Sequence, residues 1–128
     1  MIEAVRVVLV EDNEIFRETL EMLLGLRADL AVVASVASGG EAVEACAELR
    51  PDVVLVDYRM PGLNGAQTAL AVLEASPASR VVCLTASISQ AEIEELLRAG
   101  AVDCVRKDEE LERIVAAIHA AAERAPAA

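Results

Sequence analysis

The stretch Val53-Val54-Leu55-Val56-Asp57-Tyr58-Arg59-Met60-Pro61-Gly62 decides how the chain is read. Four apolar residues run directly into a carboxylate, and a proline and a glycine end the segment. The pattern is that of a buried strand delivering Asp57 to its C-terminal edge. In an open α/β sheet that edge is where ligands and chemistry gather.

The same rhythm extends to both sides. Ala4 to Val10 is a β-branched first strand, interrupted only by Arg6, and Glu11 and Asp12 follow at once. Asp12 or Asn13 caps a helix that continues to about Leu26, with Ile15, Phe16, Leu20, Leu23 and Leu24 as its apolar stripe. Ala31 to Ala37 is a second strand. Ser38 and Glu41 then form a capping-box pattern, opening a helix to Leu49 with Ala42, Val43, Ala45, Cys46 and Leu49 inward. After the central strand, Asn64 and Gln67 start an alanine-rich helix whose Leu70 and Leu73 face the sheet. Arg80 to Thr85 is a fourth strand. The segment Ser87 to Gln90 caps a fourth helix carrying Ile93, Leu96 and Leu97, which Gly100 ends. Ala101 to Val105 is a short fifth strand. Lys107 and Asp108 lead into a last helix with Leu111, Ile114, Val115 and Ile118 on one face.

Five βα units with almost wholly apolar strands predict an α/β fold, a doubly wound parallel sheet covered on both faces. Right-handed crossovers set the hand of each unit. Residues 2–122 are expected to form one domain. The Ala/Glu/Arg/Pro segment from Ala121 onward is expected to fray, and residues 123–128 to begin a linker or disordered tail.

Bulk properties narrow the function. The 128 residues are 55% hydrophobic but only 2% aromatic, so the core is built from Val, Leu, Ile and Ala. No apolar run is long enough to span a bilayer, and no secretory signal opens the chain. A net charge of −11 repels nucleic acid and anionic membranes, which argues against direct DNA contact by this domain. Cys46, Cys83 and Cys104 lie far apart in apolar contexts without a pairing framework. They read as small reduced hydrophobes of a cytoplasmic protein. The single His119 cannot build a histidine metal site.

Residues at the ends of the strands carry the chemistry. The first strand supplies Glu11 and Asp12, the third Asp57, the fourth Thr85 followed by small Ala86, and Lys107 comes just after the fifth. If the first and third strands are neighbours, three carboxylates converge and demand counter-charge. Lys107 supplies one positive charge. A hard divalent cation supplies more, and an all-oxygen ligand set suits Mg²⁺ or Mn²⁺. A carboxylate beside Mg²⁺ and a lysine can attack phosphorus and form an acyl phosphate. In this reading Asp57 is the nucleophile and phosphoacceptor, and Asp12 and Asp57 touch the metal. Lys107 pairs with Asp57 before the reaction and with phosphate after it. The Thr85 hydroxyl donates to a phosphate oxygen, and Ala86 leaves room for the group.

Taken together, Glu11-Asp12, Asp57 through Gly65, Thr85-Ala86 and Lys107 resemble the receiver domain of two-component response regulators over essentially the whole chain. The resemblance implies a flavodoxin-like (βα)5 fold with strand order 2-1-3-4-5 and phosphotransfer from a sensor histidine kinase to Asp57. It implies that the backbone carbonyl of Arg59 is a metal ligand and that Glu11 acts through metal-bound water. It implies Mg²⁺-dependent self-phosphotransfer with slow autodephosphorylation, an activity that serves regulation. Lys107-Asp108 and the Asp57-to-Gly62 segment resemble the branch with a C-terminal helix-turn-helix output domain, which would regulate transcription from outside this chain. The family's face around the fourth helix, fifth strand and fifth helix implies a homodimer on phosphorylation. The face of the first helix near Ile15, Phe16 and Leu20 can receive a kinase partner, with most of these residues in the core and one or two exposed. Arg59 and Ser87 stand where they can tune the rate at which water reaches the acyl phosphate. One departure concerns the switch. The family often carries an aromatic residue three positions before the lysine, where this chain has Cys104. An aromatic rotamer cannot work here, so a switch through Thr85 and Cys104 must use smaller side chains or helix displacement.

Two other functions compete. An Asp-nucleophile phosphohydrolase needs a second acid just after the nucleophile, but Arg59 stands two places after Asp57 and cannot act as a general acid at neutral pH. A stand-alone or degenerate receiver acting only as a protein-binding module is disfavoured by the intact Asp12, Asp57 and Lys107.

Overall fold

Five strands and five helices alternate along the chain in a computed structural model that describes residues 3–124. The elements are β1 (Val5–Val10), α1 (Glu14–Gly25), β2 (Leu30–Val36), α2 (Gly39–Leu49), β3 (Val53–Asp57), α3 (Gly65–Ala75), β4 (Arg80–Thr85), α4 (Gln90–Arg98), β5 (Asp103–Arg106) and α5 (Leu111–Glu123). All strand pairs are parallel, in the order β2-β1-β3-β4-β5. β3 therefore lies between β1 and β4, so the two acid-bearing strand ends are neighbours.

Alternation along the strands divides the core into two layers. Val7, Leu9, Val53, Leu55, Val82, Leu84 and Val105 face α1 and α5, packing on Leu20, Leu24, Ile114 and Ile118. Val8, Val10, Val54, Val56, Val81 and Cys83 face α2, α3 and α4, packing on Ala42, Cys46, Ala69, Val72 and Leu96. These side chains are almost wholly removed from water. Each buried Val or Leu contributes roughly 1.5–3 kcal/mol of transfer free energy before chain entropy is set against it.

Local chemistry sets the helix ends. Asn13 caps α1 by accepting from the Phe16 N–H at 2.9 Å. Asn64 with Gln67, and Ser89 with Glu92, form complete capping boxes at α3 and α4. At α2 only half the expected box forms. Ser38 Oγ accepts from the Glu41 N–H, but the Glu41 carboxylate accepts a hydrogen bond from the Ser38 hydroxyl instead of reaching back to the backbone.

Several sequence expectations are corrected by helix rotation and loop closure. Ile15, Leu70 and Leu97 point to solvent, 80%, 55% and 54% exposed. α3 lies on the sheet through Ala66, Ala69 and Val72, whose small size brings the helix close and turns Leu70 outward. β5 starts at Asp103 rather than Ala101, because Ala101 still belongs to the stop of α4. The Gly100 N–H bonds the Leu97 carbonyl and the Ala101 N–H bonds the Leu96 carbonyl, with Gly100 at φ +105°. α5 continues through Glu123 past the alanines expected to fray, since Ala121 is buried against the sheet. Of the expected tail, residues 125–128 lie outside the described residues.

Candidate functional site

The alternation that builds the core also aims the site. Leu9 and Leu55 face α1 and α5, and the same parity carried past the last apolar residues places Glu11 and Asp57 on that side. Both acids are buried, Glu11 2% and Asp57 6% exposed, while Asp12 stands in solvent beside them. Ligand oxygens of Glu11, Asp12 and Asp57 all lie within 4.8 Å of one another. The β1–β3–β4 order thus brings the three acids together as the sequence implied.

Lys107 enters from the far strand. Its backbone N–H bonds the Thr85 carbonyl at 2.8 Å, which ties the β5–α5 loop to the end of β4. Its Nζ lies 2.5 Å from Glu11 Oε1 and 3.3 Å from Asp57 Oδ2, and 4.6 Å from the centre of the Phe16 ring. Sequence reasoning paired this lysine with Asp57 alone. The structure gives it to two acids, and the shorter contact goes to Glu11. Phe16, expected on a core stripe, supplies an aromatic face under the ammonium.

Electrostatics follow from this crowding. Burial raises the Glu11 pKa above its ordinary value; the contacts with Lys107 and the Asn13 N–H oppose the rise, and the Asp57 charge adds to it. Burial alone would lower the Lys107 pKa. The Glu11 contact and the charges of Asp57 and Glu11 outweigh that effect, and its pKa is raised. Arg17 is a further cation that sequence reasoning missed: its Nη1 donates to the Glu11 carbonyl at 2.7 Å. Its position on the first turn of α1, six residues after Glu11, was the available signal.

The chemistry of the donor set fits a hard divalent cation. Two carboxylates are buried and one is exposed, and among the described residues one ammonium reaches them, shared between Glu11 and Asp57. The three acids are the side chains able to hold such an ion through oxygen.

Thr85 and Arg59 make contacts for which the sequence carried no signal. Thr85 follows the parity of Cys83, toward α4, and is buried. Its hydroxyl is closed on its own loop, donating to the Ser87 carbonyl at 3.0 Å and accepting from the Ser87 N–H at 3.3 Å. Arg59 donates from both terminal nitrogens to the Glu92 carboxylate, at 3.2 and 2.8 Å, and from Nε to the Ser87 carbonyl at 3.2 Å. Its guanidinium, on an exposed loop side chain, therefore clamps the β4–α4 loop. Ala86 is exposed at the rim. Cys104 is half-buried beside Thr85, lining a cavity of about 220 Å³ with Ser87, Ile88 and Ile93. The Arg59–Glu92 pairing had no sequence signal, because it joins residues 33 apart across two loops.

Comparison with known proteins agrees with this geometry. Residues 7–119 match the family described as the response regulator receiver domain. The transcriptional regulatory protein LnrK of Bacillus subtilis is 38% identical over 114 residues, covering 89% of this chain and 52% of LnrK. The nitrate/nitrite response regulator protein NarL of Escherichia coli is 31% identical over 120 residues, covering 94% of this chain and 56% of NarL. The chain thus spans about half the length of these curated relatives. The solved signal receiver domain of NarL from Mycobacterium tuberculosis superposes with a TM-score of 0.88 at 37% identity, over 95% of this chain and 99% of that one. A LuxR-family two-component response regulator from Aurantimonas sp. also gives 0.88, at 32% identity, over 96% of this chain and 89% of that one. With this fold, this cluster of acids and these relatives, the chain belongs to the response regulator receiver domain family and is a phosphorylation-dependent receiver module.

Proposed function

We propose that Asp57 is the phosphoacceptor and takes its phosphoryl group from a phosphohistidine of a sensor histidine kinase. The observation that carries this reading is the placement of buried Asp57, 3.3 Å from the Lys107 ammonium and clustered with Glu11 and Asp12 at the carboxyl edge of the sheet. In the step itself, an Asp57 carboxylate oxygen bonds to phosphorus as the phosphorus–nitrogen bond breaks. The departing imidazole retains the electron pair and is neutralised by a proton. Lys107 lies where it can meet the added negative charge, leaving Glu11 or sharing itself between them. The Thr85 hydroxyl exchanges the Ser87 carbonyl for a phosphoryl oxygen, and Ala86 imposes no side chain in its way.

Asp12 and Asp57, the backbone carbonyl of Arg59, and Glu11 through water would hold Mg²⁺, with Mn²⁺ a possible substitute. When bound, such an ion neutralises phosphoryl charge. Arg59 and Ser87 tune the lifetime of the acyl phosphate, because their clamp sets how far the β4–α4 loop opens to water.

Exposed Ile15, at the start of α1 and next to the acidic rim, supports docking of the kinase there. Output runs through Thr85 and Cys104 to the face of α4, β5 and α5, where phosphorylation favours a homodimer. By likeness to LnrK and NarL, the regulated process is transcription, through an output domain outside this chain. Adding a dianion against Thr85 and Lys107 biases two loop arrangements toward one.

Incubation with acetyl phosphate, with and without Mg²⁺, followed by intact mass measurement tests the reading. The expected result is a Mg²⁺-dependent gain of one phosphoryl group that Asp57→Asn abolishes. A gain that persists in Asp57→Asn, or no gain with any small donor or histidine kinase, overturns it.

A further inference from the structure

The parallel pairing of β4 with β5 sets Cys83 directly opposite Cys104. Both side chains fall on the α4 side of the sheet, Cys83 in the core and Cys104 packed against it. Cys83 is fully buried, whereas Cys104 is half-buried and lines the cavity that also touches Ile88, Ile93 and Arg106. Cys46, the remaining thiol, is buried on α2. The two facing thiols differ in character. Contact with Cys83 is the main influence on Cys104 and lowers its pKa against the effect of burial. Contact with Cys104, followed by burial, raises the pKa of Cys83. The more acidic thiol is thus the one that borders a cavity, and the less acidic one lies behind it.

We propose that Cys104 and Cys83 form a peroxide-oxidisable dithiol, an intramolecular modification site on the edge of the sheet that leads from Thr85 to the surface. The Cys104 thiolate attacks one peroxide oxygen; a sulfur–oxygen bond forms and the oxygen–oxygen bond breaks. The proton released by Cys104 joins the departing hydroxide as water, leaving a sulfenic acid. The Cys83 sulfur then attacks the Cys104 sulfur, the sulfur–oxygen bond breaks, and the hydroxide leaves with the Cys83 proton as a second water. Two thiols are oxidised to one disulfide, and one hydrogen peroxide is reduced to two waters.

The strand geometry admits this bridge. Directly paired residues of neighbouring strands have Cα atoms about 4.8 Å apart, inside the roughly 4.4–6.8 Å range of disulfides. Their Cβ atoms must close by about 1 Å to reach the usual disulfide spacing. β5 can supply that movement, because it is an edge strand of four residues, bonded to the sheet on one side only.

The test is to reduce the whole chain, remove the reductant, treat with hydrogen peroxide and weigh it intact. The monomer is expected to lose two hydrogen masses, reversibly with dithiothreitol. Non-reducing peptide mapping of the wild-type protein should join the Cys83 and Cys104 peptides, which decides the pairing without any variant. Cys46→Ser should keep the loss and Cys104→Ser should abolish it. Cys83→Ser should instead accumulate a sulfenic acid on Cys104 that dimedone captures. An unchanged mass, a bridge that includes Cys46, or a disulfide between two chains overturns the proposal.

Discussion

Lys107 is bound to Glu11 more closely than to Asp57, with Nζ 2.5 Å from the Glu11 oxygen and 3.3 Å from that of Asp57. The lysine that follows β5 therefore neutralises the buried acid at the end of β1 while it waits beside β3. Taking this ammonium away leaves two buried carboxylates facing each other. Lys107→Ala is expected to lower unfolding free energy at neutral pH by about 1–3 kcal/mol, the range for losing charge-assisted bonds to a buried group. Urea denaturation without divalent ions measures it, and unchanged stability would show that the pair is energetically idle.

Mg²⁺ should stabilise the folded chain by mass action. At 100 times the dissociation constant the gain is about 2.7 kcal/mol, read as a rise in Tm. Asp12→Asn and Asp57→Asn should each shrink the rise, because each removes an acid from the cluster. Chelation with EDTA should return the wild type to its starting Tm. A rise of equal size in all three proteins would place the ion elsewhere.

Acid should weaken a hydrogen bond far from the site. His119 Nε2 lies 2.6 Å from Asp29 Oδ2, joining α5 to the turn after α1. That bond, helped by Arg27, holds the Asp29 pKa below its usual 3.8. A depressed carboxylate pKa contributes stability that is present above the unfolded-state value and is lost as pH falls through the folded-state value. Tm measured from about pH 5 to about pH 2 should therefore fall more steeply in the wild type than in Asp29→Asn. Parallel curves would reject the linkage.

Arg59→Ala should cost little stability, within about 0.2–1 kcal/mol for an exposed pair. Its larger effect should be on the loop it clamps. Amide exchange at residues 86–90 should accelerate, since the Ser87 carbonyl and Glu92 lose their shared donor. Exchange at wild-type rates would mean that the Thr85 and Ser89 bonds hold the loop unaided.

Gly65→Ala tests how tightly the turn after Asp57 is built. The Gly65 N–H bonds the Tyr58 carbonyl at 2.7 Å, and a Cβ at this position would stand 2.7 Å from Tyr58 Cα and 3.1 Å from the Asp57 carbonyl oxygen. Backbone cannot yield as a flexible side chain can. A loss of about 1–3 kcal/mol is expected, together with slower phosphorylation by acetyl phosphate. Gly40→Ala, with nothing within 4 Å, is the control that adds a Cβ without a clash.

The sequence by itself determined the order of the elements, most of their caps, and the placement of Glu11, Asp12, Asp57 and Lys107 at or just past strand ends. Those features are legible because they are local: strand and helix periods, cap residues and strand-terminal acids act over a few neighbours. The tertiary structure alone decided how Lys107 divides itself between two acids and that the Thr85 hydroxyl closes on Ser87. It alone paired Arg59 with Glu92, set Cys83 against Cys104, and turned Ile15, Leu70 and Leu97 to solvent. Each of these depends on strand register, helix rotation or loop closure between distant segments. Such arrangements are chosen by packing across the whole core, and short-range pattern carries little record of them.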